Sequence, residues 1–448
     1  MNSFVSLPKA PSYWVVNVRI PRLFLEPLPD WANLSSPRCP PAAENLVAAD
    51  IEIRGEHITR LQPAGQPLPP EAITVNGQQG LVWPCFVDVH THLDKGHTWE
   101  RRPNPDGTFD TALTAVNLDR EKYWDAEDVY RRMTFGLKCS YAHGTQAIRT
   151  HLDSFEEQAL ISTEVFKALR DDWHGRLALE AVCLASLDYY QTPAGEKLAD
   201  LMAEVGGLMG GVLRMNPDID HQIDRLFSLA KERGLKLDLH TDESLDPQEM
   251  TLRRVAMAKQ RHGFELAVTC AHCCSLSVQA ADVAAETMRW VKETGISIVS
   301  LPLCNLYLQD RQPQQTPRYR GVTLLHELKQ QGIPVMLASD NCRDPFFAYG
   351  DHDMLEVFTQ SARIGHLDRP FADWPLAVTR LPGELMNLPH SGRIAPGLMA
   401  DLILFKARSF NELLARPQSD RLVIRQGQAI DTPLPDYAEL DDLLTELQ

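Results

Sequence analysis

The chain has 448 residues, 44% of them hydrophobic, which is enough to bury a core larger than one small domain holds. Its 44 Lys and Arg against 60 Asp and Glu give a formal net charge of -16. No basic stripe offsets this, which argues against nucleic acid and anionic membrane surfaces as partners. Met1–Pro8 lacks the basic and apolar layout of a secretory leader, and no later apolar run approaches the length of a membrane span. Nine cysteines are an odd count, and Cys85, Cys183, Cys270 and Cys304 sit in apolar runs where a reduced thiol acts as a small hydrophobe. The expectation is a cytoplasmic protein without disulfides.

In chain order, the run Tyr13-Trp14-Val15-Val16 and the alternation of Ile51, Ile53 and Ile58 within Ala49 to Leu61 predict short antiparallel strands. The Pro-rich segment Pro37 to Pro41 predicts a loop. From Leu81 onward, short apolar runs alternate with amphipathic segments. The strand candidates are Leu81 to His92, Thr145 to His151, Leu177 to Ala185, Gly207 to Met215, Leu235 to His240, Leu266 to His272, Ile296 to Leu303 and Ile333 to Ser339. Helices between them are marked by spacings such as Ile223, Leu226, Phe227 and Ala230, and by Gly234, Gly263, Gly295 and Gly332 as stops. Eight such units predict an α/β fold, a (β/α)8 TIM barrel over residues 81–390. Two further strands, Asp401 to Phe405 and Arg421 to Ile430, lie in the C-terminal flank. Neither flank can form a good core alone, so residues 1–80 and 391–448 are expected to join as one small β-sandwich. The acidic tail carries Leu440, Leu443, Leu444 and Leu447 at helical spacing.

A barrel of this kind places its chemistry at the C-terminal strand ends. His90 and His92 close the first candidate strand, and because alternate strand residues share a face, their imidazoles aim at one point, as a metal ion requires. The fifth candidate ends at His240, with Glu243 where the chain leaves the strand. The sixth ends at His272 and the eighth at Ser339-Asp340-Asn341. Each residue alone could be a satisfied polar group or a turn cap, but their convergence on one end of separate strands predicts a metal site. Cys270-Ala271-His272-Cys273 invites a thiolate site, yet the chain lacks the ordered His-x-Glu and Pro-Cys-x-x-Cys of cysteine-ligated deaminases.

Taken together, His90-Thr91-His92-Leu93-Asp94, Arg149-Thr150-His151-Leu152-Asp153, His240-Thr241-Asp242-Glu243, His272, Ser339-Asp340-Asn341 with Asp344-Pro345-Phe346, and the closing Gly392 to Gly397 resemble the amidohydrolase superfamily. Within it, the chain resembles the bacterial cytosine deaminase group. The resemblance implies one divalent metal per subunit, zinc or iron with manganese also suitable, held by His90, His92, His240 and Asp340. It implies Glu243 as proton shuttle and His272 as a contact of the bound water, with Asp340 also moving a proton to the leaving ammonia. No lysine ends the fourth strand candidate, so a single-metal centre is implied. A divalent ion with three imidazoles and one carboxylate keeps positive charge and acidifies its water toward pH ~7.

The reading is therefore a hydrolytic deaminase of a small amino-substituted heterocycle, with cytosine or 5-methylcytosine as expected substrate. The alternatives are an amidohydrolase acting on an N-alkylammelide-type triazine, a pterin or a cyclic amide, and a non-catalytic binding protein on the same barrel. Two departures bear on substrate: no glutamine follows the third strand before Gln191, where Ala185 stands instead, and Asn341 replaces a second acid. Lys95 resembles the His-Met-Asp-Lys element of triazine hydrolases and could hydrogen-bond a ring oxygen or pair with a carboxylate at the barrel mouth. Phe346 could wall a ring, and the turn-rich Arg101 to Phe109 segment reads as a cover. A homo-oligomer is expected.

Overall fold

The computed structural model describes residues 4–33 and 44–444. The Pro37–Pro41 loop, Cys39, Met1–Ser3 and Leu447 lie outside the described residues. Two compact units form, one from Met1–Val87, Lys138–Ala147 and Asp353–Leu434, the other from Asp88–Leu137, Ile148–His352 and Pro435–Gln448.

The strands in chain order are β1 (Ser12–Pro21), β2 (Leu46–Arg54), β3 (His57–Pro63), β4 (Thr74–Asn76), β5 (Leu81–Pro84), β6 (Phe86–Thr91), β7 (Thr145–Asp153), β8 (Ala178–Leu184), β9 (Leu208–Val212), β10 (Leu237–Thr241), β11 (Val268–His272), β12 (Ser297–Ser300), β13 (Val335–Leu337), β14 (Leu402–Phe405), β15 (Leu422–Arg425) and β16 (Gln428–Ala429). The flanks join in one mixed sheet, ordered β16-β15-β14-β5-β1-β2-β3, with β4 also on β1. The run Leu81 to His92, expected as a single strand, is two. Its first half pairs antiparallel with β14, Leu81 opposite Phe405 and Pro84 opposite Leu402, and the chain passes through Cys85 into the barrel. Trp83 organises this core, with Phe24, Phe358, Phe405 and Phe410 around it at ring centroid distances of 5.1 to 6.3 Å in edge-on packing.

In the same unit Arg421 grips Asp353 through two hydrogen bonds of 2.8 and 2.6 Å, and His143 Nδ1 lies 3.5 Å from the same carboxylate. Burial would raise the Asp353 pKa, but Arg421 and His143 outweigh it and hold the group at about 2. A depressed carboxylate stabilises the fold above its unfolded pKa, near 3.8, and that contribution is lost as pH falls toward 2. Arg421→Ala strands a buried carboxylate and should cost about 3 kcal/mol in chemical denaturation at pH 7. The deficit should narrow below pH 4; an equal deficit at pH 3 and pH 7 would contradict this assignment.

The second sheet runs β13-β12-β11-β10-β9-β8-β7-β6, parallel where its pairings are resolved. The Asp340 N–H donates to the His90 carbonyl at 2.9 Å and the Thr91 hydroxyl donates to the Asp340 carbonyl at 2.9 Å. Those bonds bring the two sheet edges together as a (β/α)8 barrel, the expected fold. All six residues of β6 are buried, as befits a strand covered on both faces. Gly234 and Gly295 end their helices in the left-handed conformation, at φ of 66° each. The eight described cysteines are buried and in no disulfide. Among the described residues no helix is long and apolar enough to cross a membrane.

Candidate active site

Alternation along the strands builds the barrel interior in layers. On β6, Asp88, His90 and, just beyond, His92 share one face. On β7 it is Arg149, His151 and Asp153, and on β10 Asp238 and His240. The lower layer is a buried ion-pair network: Arg149 donates to Asp238 at 2.7 Å and to Glu180 at 2.9 and 2.8 Å. Asp88 accepts from the Ser339 N–H at 3.2 Å and from its hydroxyl. Above these groups the imidazoles gather, with the His90 ring centroid 3.9 Å from that of His151 and 4.7 Å from that of His240.

His90 Nε2 and His92 Nε2 lie 3.6 and 3.2 Å from Asp340 Oδ1, and His240 Nε2 lies 3.3 Å from His92 Nε2. All four expected ligands are thus brought together. Both Asp340 oxygens, both His90 ring nitrogens and Nδ1 of His92 and His240 are buried without a hydrogen-bond partner. Such groups are costly to bury unpaired. Donors about 2.1 Å from one tetrahedral ion stand roughly 3.4 Å apart, so these spacings suit a shared cation. Burial, then the neighbouring imidazoles, push the His90 pKa well below its usual value. Burial acts first on His92 too, followed by Lys95 and the other rings. Both shifts favour the neutral ring, the form that binds metal. His90, His240 and His272 form a second close triplet, so His272 also borders the cation position. Its Nδ1 is met by the Asn305 amide at 3.0 Å and lies 3.4 Å from Glu243 Oε1.

The placement of Glu243 follows from the turn before it. Asp242 takes a φ of 50°, and its carboxylate accepts from the Thr251 N–H at 2.6 Å, the Thr251 hydroxyl at 2.7 Å and the Leu252 N–H at 3.3 Å. That capping of helix Thr251–Arg261 bends the chain back at the strand end. His272 and Asp340, at φ of 68° and 65°, are held in the same left-handed region. Three non-glycine strand ends in this conformation at one mouth are a concentration of backbone strain at the candidate site. Burial raises the Glu243 pKa to about 7, against the opposing pull of Arg214 and Lys95. A carboxyl near neutrality can both accept and return a proton.

A cavity of about 380 Å³ opens over these groups. His92, His240, Glu243, His272 and Asp340 line it, together with Lys95, Ala185, Asn341 and Phe346. Lys95 is ion-paired with Asp153 at 2.6 Å, with its ammonium 5.5 Å from the Phe346 ring centre. The Asn341 amide is committed to Asp344 at 2.8 Å. Phe109 meets Phe346 edge-on at 5.3 Å.

Sequence reasoning missed several lining residues. Leu113, Val116, Asn117 and Arg120 come from helix Phe109–Tyr123, whose residues three and four apart form one face toward the cavity. That periodicity was available in the sequence. Arg214 was not foreseeable from spacing: it leaves β9 to place its guanidinium 4.6 Å from the Phe109 ring centre and to donate to the Glu243 carbonyl at 3.2 Å. The segment expected to cover the site is anchored by Arg101, which bonds Asp119 at 2.8 Å and Asp128 at 2.6 Å.

The barrel, its flanking sheet and this histidine-rich mouth define the class: the chain belongs to the amidohydrolase family, whose model matches residues 206–431. It is accordingly a hydrolase acting on carbon–nitrogen bonds. It is 49% identical over 443 residues to a pterin deaminase of Rhizobium rhizogenes strain K84, covering 99% of both chains. It is 24% identical to N-isopropylammelide isopropyl amidohydrolase of Pseudomonas sp. strain ADP, over 85% of this chain and 93% of that one. The fold matches the crystal structure of 5-methylcytosine deaminase from Klebsiella pneumoniae with a TM-score of 0.78 at 24% identity, over 94% of this chain and 98% of that one.

Proposed function

We propose that the chain is a metal-dependent deaminase of pterins, replacing the amino group of the 2-amino-4-oxopteridine ring by a carbonyl and releasing ammonia. The observation that carries this reading is the near-identity in length and 49% identity with a pterin deaminase, which outweighs the 24% likeness to a 5-methylcytosine deaminase. The cavity supports it. Its volume admits a two-ring substrate, and Phe109 and Phe346 supply aromatic walls for a flat ring system.

In this reading His90, His92, His240 and Asp340 would hold one divalent ion, which would acidify a water enough for it to react at neutral pH. Glu243 delivers a proton to the ring nitrogen beside the amino-bearing carbon, which removes aromatic resistance to attack. His272, with Nδ1 fixed by Asn305, orients the attacking water. Asp340 relays a proton to the departing amino group, so that ammonia rather than an amide ion leaves. Lys95, Arg120 and Arg214 are charged donors lining the cavity, of which Lys95 and Arg214 are assigned to the ring oxygen, and Phe346 supports the ring plane. Leu113 and Val116 give the cavity an apolar wall on its helix side.

The test is a comparison of kcat/KM for ammonia release from pterin, cytosine, 5-methylcytosine and an N-alkylammelide. Pterin should lead cytosine by at least 100-fold. Equal or better turnover of cytosine would return the assignment to the pyrimidines.

A further inference from the structure

A second cluster of metal-binding side chains lies on the loops that follow β6 and β13. His97, Cys342 and His352 are all buried, and their ligand atoms lie within 4.8 Å of one another. Neither ring nitrogen of His97 has a hydrogen-bond partner, although both are buried. The His97 and His352 rings lie 5.5 Å apart between centroids, and the His97 N–H donates to the Cys342 carbonyl at 3.1 Å, tying the two loops at this point. None of the three lines the cavity over Glu243.

The backbone around the cluster keeps room for it. Gly136 lies inside helix Ala126–Ala142, where glycine is a poor choice unless space demands it. A Cβ there would come within 3.0 Å of His352 Nε2. At Gly350, with φ of 96°, a Cβ would come within 3.4 Å of Cys342 Sγ. The His352 N–H donates to the Cys342 sulfur, while burial holds the thiol pKa well above its usual value. Arg132 and Arg343 stand near His97 and oppose a bare cation. A thiolate among the ligands offsets one unit of the ion's charge, and Asp351 lies on the Cys342 side.

We propose that His97, Cys342 and His352 form a structural site for a thiophilic divalent cation such as zinc. Imidazole nitrogen and thiolate sulfur are both zinc donors, and three protein ligands leave the fourth tetrahedral position to a solvent oxygen. The ion would staple the loop after β6 to the loop after β13, next to His90, His92 and Asp340. Binding releases the thiol proton to solvent, with no change of oxidation state.

The experiment uses the full chain, stripped with a chelator and reloaded with cobalt(II) under a non-thiol reductant. Wild type should bind two equivalents per chain and show a thiolate-to-cobalt charge-transfer band in the near ultraviolet. A catalytic centre of imidazoles and a carboxylate gives no such band. Cys342→Ser and, separately, His97→Gln should remove one equivalent, and Cys342→Ser should abolish the band. Absence of the band in wild type overturns the proposal whether or not the variants fold. So does a band that survives Cys342→Ser, since another cysteine then holds the ion. A single equivalent with the band, lost in Cys342→Ser, upholds this site and instead refutes metal binding at His90, His92, His240 and Asp340.

Discussion

Glu243→Gln should lower kcat for pterin by about 10²- to 10⁴-fold, the range general acid–base groups supply, or roughly 3 to 5 kcal/mol of barrier. KM should change little, because glutamine keeps the shape and the amide can still hydrogen-bond the ring. Metal content should be unaltered, since Glu243 lies beside His272 rather than within the group of His90, His92 and Asp340. The measurement is steady-state ammonia release together with metal analysis of the same sample. Retained turnover would mean that another group moves the proton, and the structure offers His272, 3.4 Å away, as the next in line.

Asp340→Asn should abolish measurable turnover and weaken the catalytic metal by roughly 100-fold or more. Groups that only orient metal ligands already contribute 10- to 100-fold, and Asp340 is the only carboxylate in the close group with His90 and His92. The stability effect should have the opposite sign in the absence of metal. Asp340 is 1% exposed, and burial pushes its pKa well above the usual carboxylate range, so in the metal-free protein its burial carries a net cost. Metal-free Asp340→Asn should therefore melt no lower than metal-free wild type, and added metal should raise the melting temperature of wild type more than that of the variant. A metal-free variant that melts well below wild type would show that Asp340 serves chiefly in packing.

The metal-ligand candidates were legible because a barrel exposes chemistry at strand ends, where a local pattern such as His90-Thr91-His92 needs no knowledge of the distant fold. Glu243 was legible for the same reason, although what turns it inward is the capping of helix Thr251–Arg261 by Asp242, which spacing alone does not reveal. The role of Lys95 was open between a ring oxygen and a carboxylate at the barrel mouth, and the folded chain pairs it with Asp153 at 2.6 Å. Arg214 and Asn305 were invisible, each reaching the site through a tertiary approach that leaves no periodic trace. The division of Leu81 to His92 into β5 and β6 was hidden because a strand of the mixed sheet and a barrel strand are both continuous apolar runs when both faces are buried. Substrate choice was the least legible element. Ala185 and Asn341 show what a cytosine pocket would lack, but the cavity itself is built where helix Phe109–Tyr123 and Phe346 converge.

The central claim is that a metal held by His90, His92, His240 and Asp340 drives hydrolytic removal of the pterin amino group. The most direct test is ammonia release from pterin by wild type as purified, after complete chelation, and after divalent metal is restored. The account predicts one ammonia per pterin consumed, loss of turnover on chelation and recovery on reloading. Pterin turnover that persists in fully metal-free protein, or no ammonia from pterin at full metal occupancy, would contradict it.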